Sequence, residues 1–197
     1  MIKHNGDLRS ALAAAVNEYQ DHGNIGELLH RLDALIEDAT PDALMVAVEP
    51  FREIPEVAGP VYEKIVERDP ENARALVILA NAYWLGGRGP EQVNELASRA
   101  IAADGANRGA WHLWALSESS PRERTTRWKQ VSTRFPDDLL ALANLADNAA
   151  SLAGAESDRD ALMLAIGTYE RLLELTPAPE QREAVENALL ALRTWNI

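Results

Sequence analysis

Four stretches of this sequence end alike: "YEKIVERDPENA", "LASRAIAADGAN", "WKQVSTRFPDDL" and "YERLLELTPAPE". Each opens its pattern with Tyr62, Ala97, Trp128 or Tyr169 and places Ile65, Ala100, Val131 or Leu172 three residues later. Five residues further on comes a breaker: Pro70, Gly105, Pro136 or Pro177. A spacing of three puts the first two residues on one face of a helix. Pro lacks the amide that would continue the helix, and Gly readily takes the left-handed cap conformation.

A second pattern starts six residues past Pro70, Gly105 and Pro136. It reads Leu76, Leu79, Ala80, Tyr83, then Trp111, Trp114, Ala115, then Leu142, Leu145, Ala146, Ala149. Breakers lie 35, 31 and 41 residues apart, so the units read as helix pairs that differ mainly in their connecting turns. Stacked helix pairs with a period of about 34 residues are the signature of a solenoid. Ala and Leu dominate, β-branched residues are few, and apolar–polar alternation is nearly absent, so no strand is expected.

The Leu76, Leu79, Ala80, Tyr83 stretch resembles the first helix of a tetratricopeptide repeat. Tyr62 with Pro70, Trp128 with Pro136 and Tyr169 with Pro177 resemble its second helix, and Val93, Ala97, Ala100 and Gly105 match after a one-residue insertion. The likeness covers about residues 56–177 and extends plausibly from residue 41. Several features depart from it. Glu118 stands where a Tyr is expected, Pro50 and Pro60 interrupt apparent helices, and "SLAGAESDRD" reads as a turn longer than the norm.

Other punctuation fits the same parsing. "SPRE" at Ser120 to Glu123 has capping-box spacing with Pro in the first helical position, and Thr40-Pro41 and Gly89-Pro90 also read as starts. Amphipathic helices are expected over about 7–21, 25–38 and 179–195. The expectation is an all-α, right-handed α-solenoid of about five helix pairs plus a C-terminal capping helix. It forms one domain over 1–197: an N-terminal pair or cap at 1–40, repeats at 41–177 and a cap at 178–197. A cap is needed because an uncovered end unit would expose its apolar face.

Charge narrows the partners. The net charge is −12, distributed as −8 over residues 1–70, +3 over 71–136 and −7 over 137–197. An acidic total disfavours nonspecific binding to nucleic acid or an anionic membrane. There is no Cys, which excludes disulfides and thiolate metal sites. The apolar run "ALAAAV" near the start is too short for a secretory signal or a membrane span, so a cytoplasmic location is expected. Sixteen Arg against three Lys point to a GC-rich, bacterial source.

No catalytic constellation stands out. His22 and His30 are eight apart, outside the common metal spacings, and His4 and His112 are isolated. "GGRGP" lacks the Lys-Ser/Thr of a phosphate loop, and "ESDRD" lacks an EF-hand's spacing. Asp137 and Asp138 sit where a helix start favours negative charge. No cofactor or metal site is expected, and the chain reads as noncatalytic.

Two surfaces are candidates. The tetratricopeptide resemblance implies a concave groove lined by first helices, here carrying Arg74, Val77, Asn81, Trp84, His112, Leu116, Ala143 and Asp147. Asn81 fits one position of the clamp by which some members hold an acidic C-terminus, but Leu113 and Leu140 occupy others. A peptide or helix docking there is the leading expectation, with Trp84 the foremost contact. The second surface is the helix bearing Arg122, Arg124, Arg127, Lys129 and Arg134, near Trp111, Trp114 and Trp128. It reads either as a solvated face paired with the chain's own acids, or as a site for an acidic protein or nucleic acid. Self-association, acidic ends against the basic middle of another copy, is the third alternative.

Overall fold

Short polar residues before apolar runs start most of these helices. Asn24, Thr40, Asn72, Asp138 and Asp158 each accept a hydrogen bond through the side chain from a backbone amide two or three residues on. Each such cap contributes about 1 kcal/mol by pairing an amide the helix cannot satisfy. Pro41, Pro55, Pro90, Pro121 and Pro179 begin helices where their missing amide costs nothing.

The computed structural model describes residues 4–197; residues 1–3 of the expected segment 1–40 lie outside them. Backbone contacts separate two compact units, one ending at Leu113 and one starting at Trp114. The first holds α1 (His4–His22), α2 (Ile25–Ile36), α3 (Pro41–Val48), a 3-10 turn (Glu49–Phe51), α4 (Pro55–Arg68), α5 (Ala73–Leu85), α6 (Pro90–Ala103) and the start of α7 (Arg108–Leu116). The second holds the end of α7, α8 (Pro121–Arg134), α9 (Leu139–Glu156), α10 (Arg159–Leu175) and α11 (Pro179–Arg193). The chain is all-α, with no strand among the described residues.

The recurring frame forms the core of each unit. In the first, Tyr62, Ile65, Leu76, Ala80, Ala97 and Ala100 are fully buried, together with Leu12, Leu28, Leu32 and Leu44 of the earlier helices. In the second, Leu142, Ala146, Ala149, Tyr169 and Leu172 pack with Val185, Leu189 and Leu192 of α11. Each fully buried large apolar side chain contributes about 1.5–3 kcal/mol relative to exposure.

Three expectations need correction. Pro60 does not interrupt its helix: it lies inside α4, which continues to Arg68. The one hydrogen bond its ring removes is outweighed by the burial of Val57, Ala58, Val61, Tyr62 and Ile65 along the same helix. Ser120 is the N-cap of α8 but its hydroxyl makes no cap bond; its amide instead donates to Glu118, 2.9 Å away. Finally, "SLAGAE" is not a turn. It is the last part of α9, and only Ser157 and Asp158 separate α9 from α10.

The uneven breaker spacing therefore comes from helix length. The α5–α6 pair has helices of 13 and 14 residues, whereas α9 and α10 have 18 and 17. Gly154 lies inside α9 because Trp195 comes back over it. A Cβ there would sit 3.3 Å from two indole carbons. Ser157 makes the tight turn in the left-handed region (φ 51°), without a glycine.

Candidate partner-binding site

α5 brings Arg74, Val77, Asn81 and Trp84 onto one face through spacings of three and four. Arg74 is exposed and its Nη2 donates to Glu49 Oε2 at 2.6 Å. Val77 is half-buried where α7 passes α5, so a Cβ on Gly109 would lie 3.3 Å from Val77 Cγ1. Asn81 and His112 are half-buried, and Trp84 is 39% exposed. These five belong to the first unit. Leu116, Ala143 and Asp147 belong to the second. There Leu116 and Ala143 are half-buried, and exposed Asp147 accepts a hydrogen bond from the Tyr169 hydroxyl.

What holds Trp84 outward is the end of its helix. Gly87 takes φ +69°, and the amides of Gly87 and Arg88 donate to the carbonyls of Trp84 and Tyr83, 3.3 and 3.0 Å away. This pair of bonds is a Schellman cap, and it fixes the last turn of α5. Tyr83 turns the other way and donates to Glu63 of α4 at 2.6 Å, while the Arg88 guanidinium lies 5.0 Å above its ring. Burial, with Glu63 second, pushes the Tyr83 hydroxyl up to about 12. With Tyr83 anchored inward, Trp84 and its neighbour Leu85, 56% exposed, form a partly exposed apolar tip.

The basic helix is arranged differently. Arg122 bonds to Glu156 and, at 2.9 Å, to Asp158. Arg124 donates to the Asn148 side chain at 2.7 Å and to the Glu118 carbonyl at 3.1 Å. Arg127 pairs with the Glu118 carboxylate at 2.7 Å, donates to the Trp114 carbonyl at 2.7 Å, and stacks over the Trp114 ring at 4.5 Å. The Asp158 carboxyl is held below its ordinary range, first by the Ala161 amide and then by Arg122. Arg122, Arg124 and Arg127 are thus engaged inside the second unit, and Trp128 is buried at 2% exposure. Lys129 and Arg134 are exposed along a shallow cavity of about 520 Å³, with Thr126, Gln130 and Thr133.

A face paired with the chain's own acids was one of the two readings of this helix, but the partners Glu118, Asn148, Glu156 and Asp158 could not be named because they lie up to 36 residues from their arginines. One signal was available: Glu118 at a tyrosine position, with Arg127 nine residues on. Among the described residues no three His, Asp or Glu side chains come together as metal ligands, and no helix is long and apolar enough to cross a membrane.

Solved structures share this architecture. A crystal structure of MamA aligns with TM-score 0.60 at 17% identity, over 85% of this chain and 95% of that one. PilF of Pseudomonas aeruginosa aligns with TM-score 0.63 at 16% identity, over 97% and 86%. A thermophilic TPR protein of Thermus thermophilus, TTC0263, aligns with TM-score 0.56 at 17% identity, over 93% and 99%. No protein-family profile and no curated protein matches the sequence. At these identities the likeness is one of fold, and the fold is that of a tetratricopeptide-like α-solenoid.

Proposed function

We propose that the chain is a noncatalytic interaction module that docks a peptide or partner surface on the groove face of α5, with Trp84 as its anchor. The observation that carries this reading is the apolar tip of Trp84 and Leu85, held outward by a well-formed helix cap while Tyr83 is tied back to Glu63. A pre-fixed aromatic loses little rotamer freedom on binding, and aromatics of this kind dominate interface energetics. Asn81, one turn earlier, supplies an amide to pair with a bound backbone, and His112 lies on the adjoining first helix. The proposal takes 41–177 as the repeats, with 1–40 and 178–197 closing them, and the cytoplasm as the place of action.

The alternative, an anionic ligand on α8, finds Arg122, Arg124 and Arg127 already engaged with groups of the same unit, while Lys129 and Arg134 line the shallow cavity on its outer face. The test is a photoreactive amino acid placed at position 84, and separately at position 129, in the source cells. A protein crosslinked from position 84, whose purified form binds Trp84→Ala at least about tenfold more weakly than wild type, supports the reading. Crosslinking confined to position 129 overturns it.

A further inference from the structure

Two tyrosines share one position of the repeat. Tyr62 on α4 and Tyr169 on α10 each stand eight residues before their breakers, Pro70 and Pro177. The first helix of each pair, or the turn continuing it, also carries an acid at one shared position. Glu49 lies five residues past the buried Leu44, and Asp147 five past the buried Leu142. In the second unit tyrosine and acid are joined, the Tyr169 hydroxyl donating to Asp147. In the first they are not. Tyr62 is fully buried, and no group among the described residues accepts from its hydroxyl.

Two arginines account for the difference. Glu49 Oε1 accepts from Arg52 at 2.9 Å and Glu49 Oε2 from Arg74 at 2.6 Å, so both carboxylate oxygens are taken. After burial, the charges that act on the Tyr62 hydroxyl are those of Glu49, Arg74 and Arg52, so it lies near the same group. A buried hydroxyl without an acceptor is costly, and Glu49 can turn Oε2 to Tyr62 while Oε1 stays on Arg52. Arg74 is the member of the group best placed for a ligand. Its side chain is 60% exposed on the face of α5 that carries Trp84, in the first turn, where a helix favours an anion.

We infer that Glu49 is a two-position acceptor, which makes Arg74 the seat for a carboxylate side chain of the bound peptide. In the free chain Glu49 holds Arg74. On binding, the peptide's carboxylate takes Arg74, and Glu49 turns to the Tyr62 hydroxyl. This rests on docking at the α5 face and gives the docked segment a chemistry. Arg74 and Trp84 are ten residues apart, about 15 Å along the helix, which an extended peptide covers in about four or five residues. The segment carries an Asp or Glu at that distance from an apolar side chain.

One test needs no ligand. In the wild-type chain, Tyr62→Phe removes an unpaired hydroxyl and is expected to leave the urea midpoint unchanged or raise it. In an Arg74→Met background, where Glu49 is released, the same change is expected to lower the folding equilibrium constant at least threefold. Tyr169→Phe, which breaks a bond already made, is expected to lower it in the wild-type chain. An equal cost of Tyr62→Phe in both backgrounds would mean that its hydroxyl is satisfied without Glu49, and overturns the inference.

The second test uses the full chain and capped, fluorescein-labelled peptides with a Leu and a Glu four residues apart, in either order, beside their Gln analogues. In one order the Glu peptide is expected to bind at least fivefold more tightly than its Gln analogue by anisotropy. Arg74→Met should abolish that preference, and Trp84→Ala should weaken both peptides. No binding, no preference for Glu, or a preference that survives Arg74→Met overturns the inference. Where binding without the preference still depends on Trp84, docking at α5 stands. Binding indifferent to Trp84→Ala removes that docking and this inference together.

Discussion

Two tryptophans divide the molecule's labour. Trp128, on the basic helix α8, is 2% exposed, and that helix's arginines bind Glu118, Asn148, Glu156 and Asp158. Trp84, at the end of α5, is 39% exposed, and the residue beside it does the anchoring. In the sequence Trp84 reads as the foremost contact of a groove, while the arginines among aromatics read either as a face paired with the chain's own acids or as a second binding surface. The difference lies in what surrounds them. Cations count as a surface only when no carboxylate of the same chain reaches them, and an aromatic counts as core only when a neighbouring helix covers it.

The largest expected effect sharpens the buried side of that comparison. Trp128→Ala should cost about 3–5 kcal/mol by leaving a cavity in the second unit, measured by urea unfolding. Arg127→Ala comes next, at about 2 kcal/mol, because it removes the charged donor from the partly buried Glu118 carboxylate and the Trp114 carbonyl, leaving them only the Ser120 amide and the Ser117 hydroxyl. A third expectation concerns pH. Burial, followed by Glu49, pushes Tyr62 up to about 12, and Tyr83 reaches about 12 as well, while Tyr169 is raised by burial and Asp147. Tyrosines in the unfolded chain ionise near 10.0, so stability is full below that value and is lost as pH rises from 10.0 towards 12. Thermal melts across that window should show a steep fall, absent between pH 7 and 9.

Smaller effects follow. Gly154→Ala gains helix propensity but crowds Trp195, whose ring is 40% exposed and free to give way. Stability should shift by less than about 1 kcal/mol, with a change in tryptophan fluorescence reporting the displaced indole. Trp84→Ala should change stability least, by about 0.5 kcal/mol or less, as expected of a surface side chain that holds no element in place.

Much of the fold was legible because the frame around Leu76, Leu79, Ala80 and Tyr83 is a local periodicity, and local periodicity directly states which helix face is buried. The length of α9 was not. Gly154 and the charged residues after it read as a turn, and the reason Gly is present, the return of Trp195, lies 41 positions away. The cap at Gly87 is local to the end of α5, but the anchoring of Tyr83 was not legible, because its partner Glu63 lies 20 residues earlier on another helix. Pairing of α8 with the chain's own acids was one expectation, but which acids was hidden, since they come from the turn before α8, from α9 and from the turn after it.

The central claim is that α5 meets the partner while α8 holds the fold. The direct test is the affinity of the protein crosslinked at position 84 for wild type, Trp84→Ala and the double variant Lys129→Glu/Arg134→Glu, each with its urea midpoint. The account predicts at least about tenfold weaker binding for Trp84→Ala at an unchanged midpoint, and wild-type affinity for the double variant. Wild-type affinity in Trp84→Ala, with binding lost in the double variant at an unchanged midpoint, would contradict it and move the site to α8.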